Sequence, residues 1–272
     1  KGEIKVGREM AINPGHVHGK IEGIPTVEPA FGLEATWIEA SQRDYARTLG
    51  YTVVDAATAI ATHLNTLLRN NASELLSHDE TQQLLDKVAG RSPKLVEDLV
   101  PGKLPLATIT KVLQNILDES VSVRDMRTII EVLSTESANT QNADDLTAAV
   151  RPRLGRMIVQ SLIDVNDSLP VITLNPSLEQ LLHNVLQQSA SSQGLVIEPK
   201  LAEGLFKALA ENTAMVENQG HPAVLVVSPG IRPWLAKIIR HRLSDLTVLS
   251  YSEIPDDQAV KVVATVDVEE TN

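Results

Sequence analysis

The sequence predicts an α+β protein with several subdomains, and three stretches of different periodicity carry this prediction. Residues 1–55 alternate short extended runs with Gly- and Pro-rich connections. Residues 56–163 carry apolar side chains three and four positions apart, which is typical of helices. Beyond residue 166, β-branched runs alternate with helical patterns. We therefore expect a small α/β subdomain, an all-helical middle subdomain and a C-terminal α/β subdomain.

The first stretch is predicted to hold strands and one short helix. Gly15–Pro29 is rich in glycine and proline and is expected to be mostly loop. A helix is predicted over Ser41–Leu49 and should end at Gly50. The expected extended segments are Ile4–Val6, Met10–Ile12, Ala35–Ile38 and Tyr51–Val54.

Capping residues mark where the middle helices begin. Asp55 precedes a helix that carries Ile60, Leu64, Leu67 and Leu68 on one face. The other starts are a capping box of Ser77 with Glu80, a Ser92 cap followed by Pro93, and an Asp125 cap. A further amphipathic helix runs through Leu106–Leu117, and a long helix is expected over residues 145–163.

The last stretch is predicted to alternate strands with helices. The expected strands are Pro170–Leu174, Leu195–Ile197, Ala223–Val227, Thr247–Ser250 and Val260–Val266. The expected helices are Ser177–Gln187, Lys200–Glu217 and Ile231–Leu243.

Composition narrows the function classes. The formal net charge of −11 disfavours binding to a phosphate backbone and favours encounters with basic proteins. Cysteine is absent, which excludes disulfides, Cys zinc sites and a thiol nucleophile. No apolar run reaches the roughly 18 residues that span a bilayer. The first residue is Lys1 rather than Met, so we expect a piece of a longer protein.

Two segments offer weak chemical signals. His16 and His18 could both ligate a metal, but no third ligand has a recognisable spacing, so a solvated loop is the preferred interpretation. Ser228-Pro229-Gly230 joins a predicted strand to a helix, with Arg232 close by, and could bind an anion. An ordinary turn is favoured there, because a single glycine makes a poor phosphate cradle.

Phe31 is the most informative aromatic residue. It is one of two phenylalanines and lies within a Gly- and Pro-containing connection, Pro29–Leu33. Aromatic side chains on such loops often anchor interfaces. Phe31 could equally fill a small local core, and composition alone leaves both interpretations open.

Taken in chain order, several segments resemble the cytoplasmic region of the flagellar export-gate proteins, the FHIPEP family. The matching runs are AINPG at 11–15, PAFGLEATWI at 29–38, GYTVVDAATAIATHL at 50–64, LVEDLVP at 95–101, VSVRDMRTIIEVL at 121–133, VRPRLGRMI at 150–158 and AVLVVSPGIRPWLAKIIRHRLSDLTVLSYSEI at 223–254. They span nearly the whole chain. Injectisome export gates share the fold and parts of these runs.

The resemblance implies a non-enzymatic docking platform without cofactor, metal or nucleic acid. In that family, export chaperones loaded with substrate dock in a hydrophobic dimple, the soluble region forms a nine-membered ring, and an ATPase complex docks from the cytoplasm. Carried over by motif, the dimple comprises Ile12, Pro14, Glu28, Phe31, Leu33 and Thr62. Glu28 departs from the pattern, in which we expect Asp.

The resemblance also implies the domain organisation and the location. The inserted α/β subdomain would cover residues 1–55, a helix of the truncated first subdomain 56–75, the helical subdomain 76–155 and the C-terminal α/β subdomain 156–272. The whole protein would be integral to the bacterial inner membrane and expose this region at its cytoplasmic face. Two alternatives remain: the equivalent platform of a virulence injectisome, or an α/β enzyme with an anion site at Ser228–Arg232.

Overall fold

The computed structural model describes residues 4–189, 198–243 and 245–268. The chain divides into two compact units, residues 1–75 (the first unit) and residues 76–272 (the second unit). Each unit has its own sheet and its own hydrophobic core. The subdomain boundaries expected at 55/56 and 155/156 stay predictions.

An antiparallel sheet forms the centre of the first unit. Its described strands lie in the order β2-β3-β1-β4. They are β1 Arg8–Ile12, β2 Ile24–Val27, β3 Glu34–Glu39 and β4 Thr52–Asp55, and the helices are α1 Arg43–Thr48, α2 Ala56–Asn70 and α3 Ala72–Leu75. On one face, Met10, Ala35 and Trp37 pack against Ala59 of α2. On the other, Ile38 packs against Ala46 of α1.

Two predictions for this sheet were wrong. Ile4–Val6 was expected to be extended, but it forms no strand; the first strand is Arg8–Ile12, which contains the predicted segment Met10–Ile12. Ile24–Val27 was expected to be loop, but it pairs with β3 as an edge strand. Its sequence lacks a strand signal because three of its four residues are exposed and one is proline, which an edge position tolerates.

Helix α2 begins as predicted, but it packs differently from what its periodicity suggests. The Asp55 carboxylate accepts the Thr58 N–H at 2.7 Å and caps the first turn. The buried contact with the sheet is made by the small Ala59. The apolar stripe is instead about half exposed, and its members are Ile60, Leu64, Leu67 and Leu68.

The second unit opens with helices that share one core. They are α4 His78–Ala89, α5 Pro93–Leu99, α6 Leu106–Asp118, α7 Met126–Glu136 and α8 Ala143–Leu162. The capping box of Ser77 with Glu80 and the Asp125 cap are present as predicted. Ser92 differs, because its side chain makes no capping bond and Pro93 alone marks the start of α5.

A parallel sheet follows. Its described strands lie in the order β7-β6-β5-β8. They are β5 Leu169–Leu174, β6 Val224–Val227, β7 Thr247–Ser250 and β8 Val260–Val266, with helices α9 Pro176–Ser189, α10 Pro199–Glu217 and α11 Arg232–Ile239. The predicted strand Leu195–Ile197 lies outside the described residues.

Alternate residues of the central strands enter two different cores. Val224 and Val226 join the core of helices α4 to α8. Leu225 and Val227 join the core formed with α9, α10 and α11. Because both faces are covered, these strands read as continuous apolar runs. A mixed architecture of helix and sheet, as predicted, is therefore confirmed.

Among the described helices, none combines the length and the hydropathy that crossing a membrane would require.

Candidate functional site

The connection between β2 and β3 forms a tight turn that presents Phe31. The Glu28 N–H donates to the Leu33 carbonyl at 2.8 Å, and the Gly32 N–H donates to the Glu28 carbonyl at 3.0 Å. Gly32 has a φ of +71°, a conformation that glycine adopts without strain. The Phe31 side chain is 69% exposed. It therefore does not fill a local core.

The buried Glu28 carboxylate is hydrogen-bonded to the backbone of this turn. Its two oxygens accept the N–H groups of Ala30 at 2.9 Å and Phe31 at 2.7 Å. Only 2% of the residue is exposed. Glu28 therefore lies behind the surface that Phe31 presents.

Phe31 and helix α2 line one cleft of about 550 Å³. The helix contributes a face with four-residue spacing, which comprises Ala61, Thr62, Asn65, Thr66, Arg69 and Asn70. The Thr66 hydroxyl donates to the Thr62 carbonyl at 3.0 Å, so it is partly satisfied within the helix. The cleft thus combines an aromatic wall with a hydroxyl- and amide-rich wall.

The predicted site residues occupy different positions around this cleft. Phe31 and Thr62 line it. Ile12 pairs with Ala35 of β3 and packs, half-buried, on the core beneath α2. Pro14 and Leu33 are exposed but do not belong to the cleft lining.

Sequence reasoning missed the rest of the α2 wall. Asn65, Thr66 and Arg69 lie three to seven residues after Thr62, the spacing of one helical face. That spacing could have identified them. In the described part of the chain, Arg69 has no ion pair, so its charge is available at the cleft.

An ion pair supports the sheet on the side of α1. The Arg43 guanidinium donates to both carboxylate oxygens of Glu9 on β1. This hydrogen bonding holds the pKa of Glu9 below its ordinary value. Arg43 and Glu9 are thus a structural pair, and neither lines the cleft.

At the turn considered as an alternative anion site, Ser228–Arg232, a carboxylate of the chain itself already accepts hydrogen bonds. The Ser228 N–H donates to the Glu179 carboxylate at 2.6 Å, and the Tyr251 hydroxyl donates to the same carboxylate at 3.4 Å. Burial and the neighbouring Glu179 raise the pKa of Tyr251. An incoming anion would meet a carboxylate at this turn.

Arg232, the cation expected beside that turn, is also committed elsewhere. It is buried and pairs with Glu119 and Glu253, and Arg151 of α8 pairs with the same two carboxylates. We call these four residues the buried ion quartet: Arg151, Arg232 and Glu253 are at most 3% exposed, whereas the side chain of Glu119 is 22% exposed. Two positive and two negative charges balance within it, which is what burial of ionised groups requires.

His16 and His18 lie exposed in the loop after β1. Over the described ranges, no group of three or more His, Asp or Glu side chains is arranged to hold a metal ion.

The chain is similar to curated flagellar proteins. It is 45% identical over 265 residues to the flagellar biosynthesis protein FlhA of Escherichia coli K12, and 34% identical over 268 residues to FlhA of Bacillus subtilis 168. These matches cover 97% and 98% of this chain but 38% and 40% of those proteins. The chain therefore spans about two fifths of the length of the curated relatives it matches.

Solved structures share the fold. Chlamydia pneumoniae CdsV matches with a TM-score of 0.82 and 22% identity, over 98% of this chain and 77% of CdsV. Nonameric EPEC SctV-C matches with a TM-score of 0.72 and 24% identity, over 97% of this chain and 79% of that one. The model of the FHIPEP family matches residues 1–259. From this match, together with the flagellar relatives, we conclude that the chain belongs to the FHIPEP family.

Proposed function

We propose that this chain is the cytoplasmic part of a type III export gate, at the inner face of the bacterial inner membrane. We further propose that its cleft docks export chaperones with their bound substrates. One observation carries the docking proposal: Phe31, a large apolar side chain, stands 69% exposed beside the α2 wall. Isolated exposed aromatics at a cleft are typical anchors of protein interfaces.

The names of related proteins support the export-gate part. Curated relatives are described as flagellar biosynthesis proteins, and a solved neighbour is described as the nonameric cytosolic domain of EscV from the type III secretion system. Identity is 34–45% to flagellar relatives such as those of B. subtilis and E. coli, and 24% to EscV. This difference favours the flagellar role over the injectisome role.

Assembly is proposed from the same sources. SctV-C and EscV are described as nonameric, and CdsV has been solved in complex with CdsO. By extension, we propose that this chain takes part in a homo-oligomeric ring, with further partners among the export components and the export ATPase complex. The net charge of −11 would speed encounters with basic partners.

The physical scale suits a transient contact. Burying the exposed part of one Phe side chain removes on the order of 100 Å² of apolar surface from water, worth about 2–3 kcal/mol at ~25 cal/mol per Å². Loss of this contact corresponds to a roughly 30- to 150-fold loss of affinity. Apart from Ala61, the remaining cleft residues are polar and would mainly fix orientation.

Calorimetric titration with a flagellar chaperone–substrate complex tests the proposal. Phe31→Ala should weaken binding by the factor above. Tyr45→Ala provides a matched control, since Tyr45 is an aromatic residue of the same unit, is 59% exposed on α1 and is outside the cleft. Its affinity should equal that of the wild-type chain.

Two results would contradict the proposal. Equal affinities for wild type and Phe31→Ala would exclude the cleft as the docking site. Failure of the wild-type chain to bind any flagellar chaperone complex, with tight binding to injectisome chaperones, would move the function to the injectisome.

A further inference from the structure

Glu28 has an environment unlike that of its neighbours. Val27 and Phe31, on either side of it, are mostly exposed, whereas Glu28 is 2% exposed. Carboxylates are rarely buried to this degree unless their oxygens are fully partnered. Here both oxygens are partnered, and both partners belong to the backbone of the same turn.

The hydrogen bonds of Glu28 account for most of what holds the turn. Its side chain accepts the N–H groups of Ala30 and Phe31, its own N–H reaches Leu33, and its carbonyl accepts the N–H of Gly32. A carboxylate that accepts backbone N–H groups forms strong, charge-assisted bonds. The position of the Phe31 backbone is therefore set directly by the Glu28 side chain.

This arrangement leaves Glu28 little capacity to face a partner. Its oxygens point into the turn, and a basic group of an incoming protein would have to break the bonds to residues 30 and 31 to reach them. An aromatic anchor on an unsupported loop would lose conformational freedom on binding, at a cost in affinity. A turn closed in advance avoids that cost.

We propose that Glu28 is a positioning residue: it fixes the Phe31 turn in the binding-ready conformation and does not itself contact the docked protein. The proposal rests on the docking function proposed above. It differs from the expectation that the acidic side chain forms part of the contact surface. The effect of any change at Glu28 must then pass through Phe31.

A double-mutant cycle separates positioning from contact. Glu28→Gln replaces one acceptor oxygen by an amide NH₂, which cannot accept the backbone N–H. We expect it to weaken chaperone-complex binding roughly 3- to 30-fold when Phe31 is present, because the turn would no longer be ordered before binding. In the Phe31→Ala background it should cause no further loss, because the side chain that it positions is gone.

Matched variants separate the turn from the charge. Glu34→Gln removes the same charge from an exposed position on the same hairpin and should bind like wild type. Gly32→Ala leaves the carboxylate intact but strains the turn, because φ at this position is +71°. It should reproduce the loss seen with Glu28→Gln and should likewise have no effect without Phe31.

Amide hydrogen exchange gives a readout that needs no partner. In Glu28→Gln, the amides of Ala30 and Phe31 should exchange faster, while those pairing β1 with β3 keep their protection. Retained protection at 30 and 31 would overturn the proposal. A general loss of protection across the sheet would also overturn it, since Glu28 would then support the fold and not the turn.

The outcomes distinguish this inference from the docking function. Additive losses from Glu28→Gln and Phe31→Ala would overturn the positioning role and leave docking intact. If Glu34→Gln lowered the affinity as much as Glu28→Gln, the effect would come from the loss of negative charge, and the positioning role would be refuted. Equal binding of wild type and Phe31→Ala would instead refute docking at the cleft, while hydrogen exchange would still test the turn.

Discussion

Removing one carboxylate from the buried ion quartet should destabilise the second unit strongly. Glu253 accepts bonds from Arg151 Nη2 at 2.8 Å and Nε at 3.2 Å, and lies 3.5 Å from Arg232 Nε. Glu253→Gln keeps the shape of the side chain and removes its charge. Two buried guanidinium groups would then share Glu119 alone.

The magnitude follows from burial. Solvent barely reaches this cluster, since the exposed fractions are 1% for Arg151, 3% for Arg232 and 2% for Glu253. Water therefore cannot stabilise the two guanidinium groups once the Glu253 charge is removed. Desolvation already lowers the pKa of Arg232, while the nearby Glu253 charge raises it. Breaking a buried pair by removing one partner costs about 3–5 kcal/mol. Because Gln still accepts one hydrogen bond, we expect about 3 kcal/mol.

A surface pair on the same helix provides the control. Arg156 of α8 pairs with Asp257 at 2.8 Å, and both side chains are more than 60% exposed. Exposed pairs contribute about 0–1 kcal/mol. Asp257→Asn should therefore change the free energy of unfolding by less than 1 kcal/mol, although it also removes one carboxylate from an arginine.

The two tryptophans allow the assay to read each unit separately. Trp37 lies in the core of the first unit and Trp234 packs on a core of the second. Urea unfolding followed by fluorine NMR of 5-fluorotryptophan should show the Trp234 midpoint lowered by roughly 1–1.5 M in Glu253→Gln, for a slope of ~2–3 kcal/mol per M. The Trp37 midpoint should stay unchanged. A Trp234 shift no larger than that of Asp257→Asn would refute the reasoning.

Two further predictions concern packing and pH. A Cβ on Gly155 of α8 would lie 2.1 Å from the Glu253 carbonyl oxygen. Gly155→Ala should therefore reduce the free energy of unfolding of the second unit by about 1–3 kcal/mol and lower its melting temperature by several degrees. An unchanged melting curve would contradict this prediction. In the first unit, the Glu9–Arg43 pair lowers the pKa of Glu9 below its ordinary 4.5, so its contribution is complete above pH 4.5 and lost as pH falls through the folded pKa. Glu9→Gln should flatten the dependence of the Trp37 urea midpoint on pH below 4.5, and an unchanged slope would count against the pair.

Local signals predicted much of the helical structure. The caps at Asp55, Ser77 and Asp125 satisfy N–H groups only two or three residues away, so a short stretch of sequence carries the whole interaction. The periodicity of Leu106–Leu117 identified α6 for a similar reason, because one helical face repeats within a few residues.

The pairing of the strands and its register were harder to predict from the sequence than the helices. The edge strand Ile24–Val27 has little apolar pattern of its own and takes its hydrogen bonds from β3. Nothing within those four residues specifies that pairing. The apolar stripe of α2 shows the opposite case. Its strong periodicity, for example at Leu64 and Leu67, suggests a buried face, but the sheet does not cover that face and both residues are about half exposed.

The candidate site was also predicted only in part from the sequence. Sequence alone drew attention to Phe31, because an aromatic residue in a Gly- and Pro-rich connection is rare in a chain with few aromatics. It also placed Glu28 and Thr62 in the same set through the family resemblance. Only the tertiary structure decided that Phe31 and Thr62 share a cleft, and that Glu28 faces the backbone behind it.

The sequence by itself determined the helix starts, the mixed class of fold and the family, because each rests on residues that are adjacent or evenly spaced along the chain. The tertiary structure decided which charges are buried together and which side chains meet at the cleft. Arg151 and Glu253 are 102 positions apart, and Phe31 meets an α2 face that begins 30 positions later. Such contacts depend on how the strands pair and the helices pack, and this information is distributed over the whole chain.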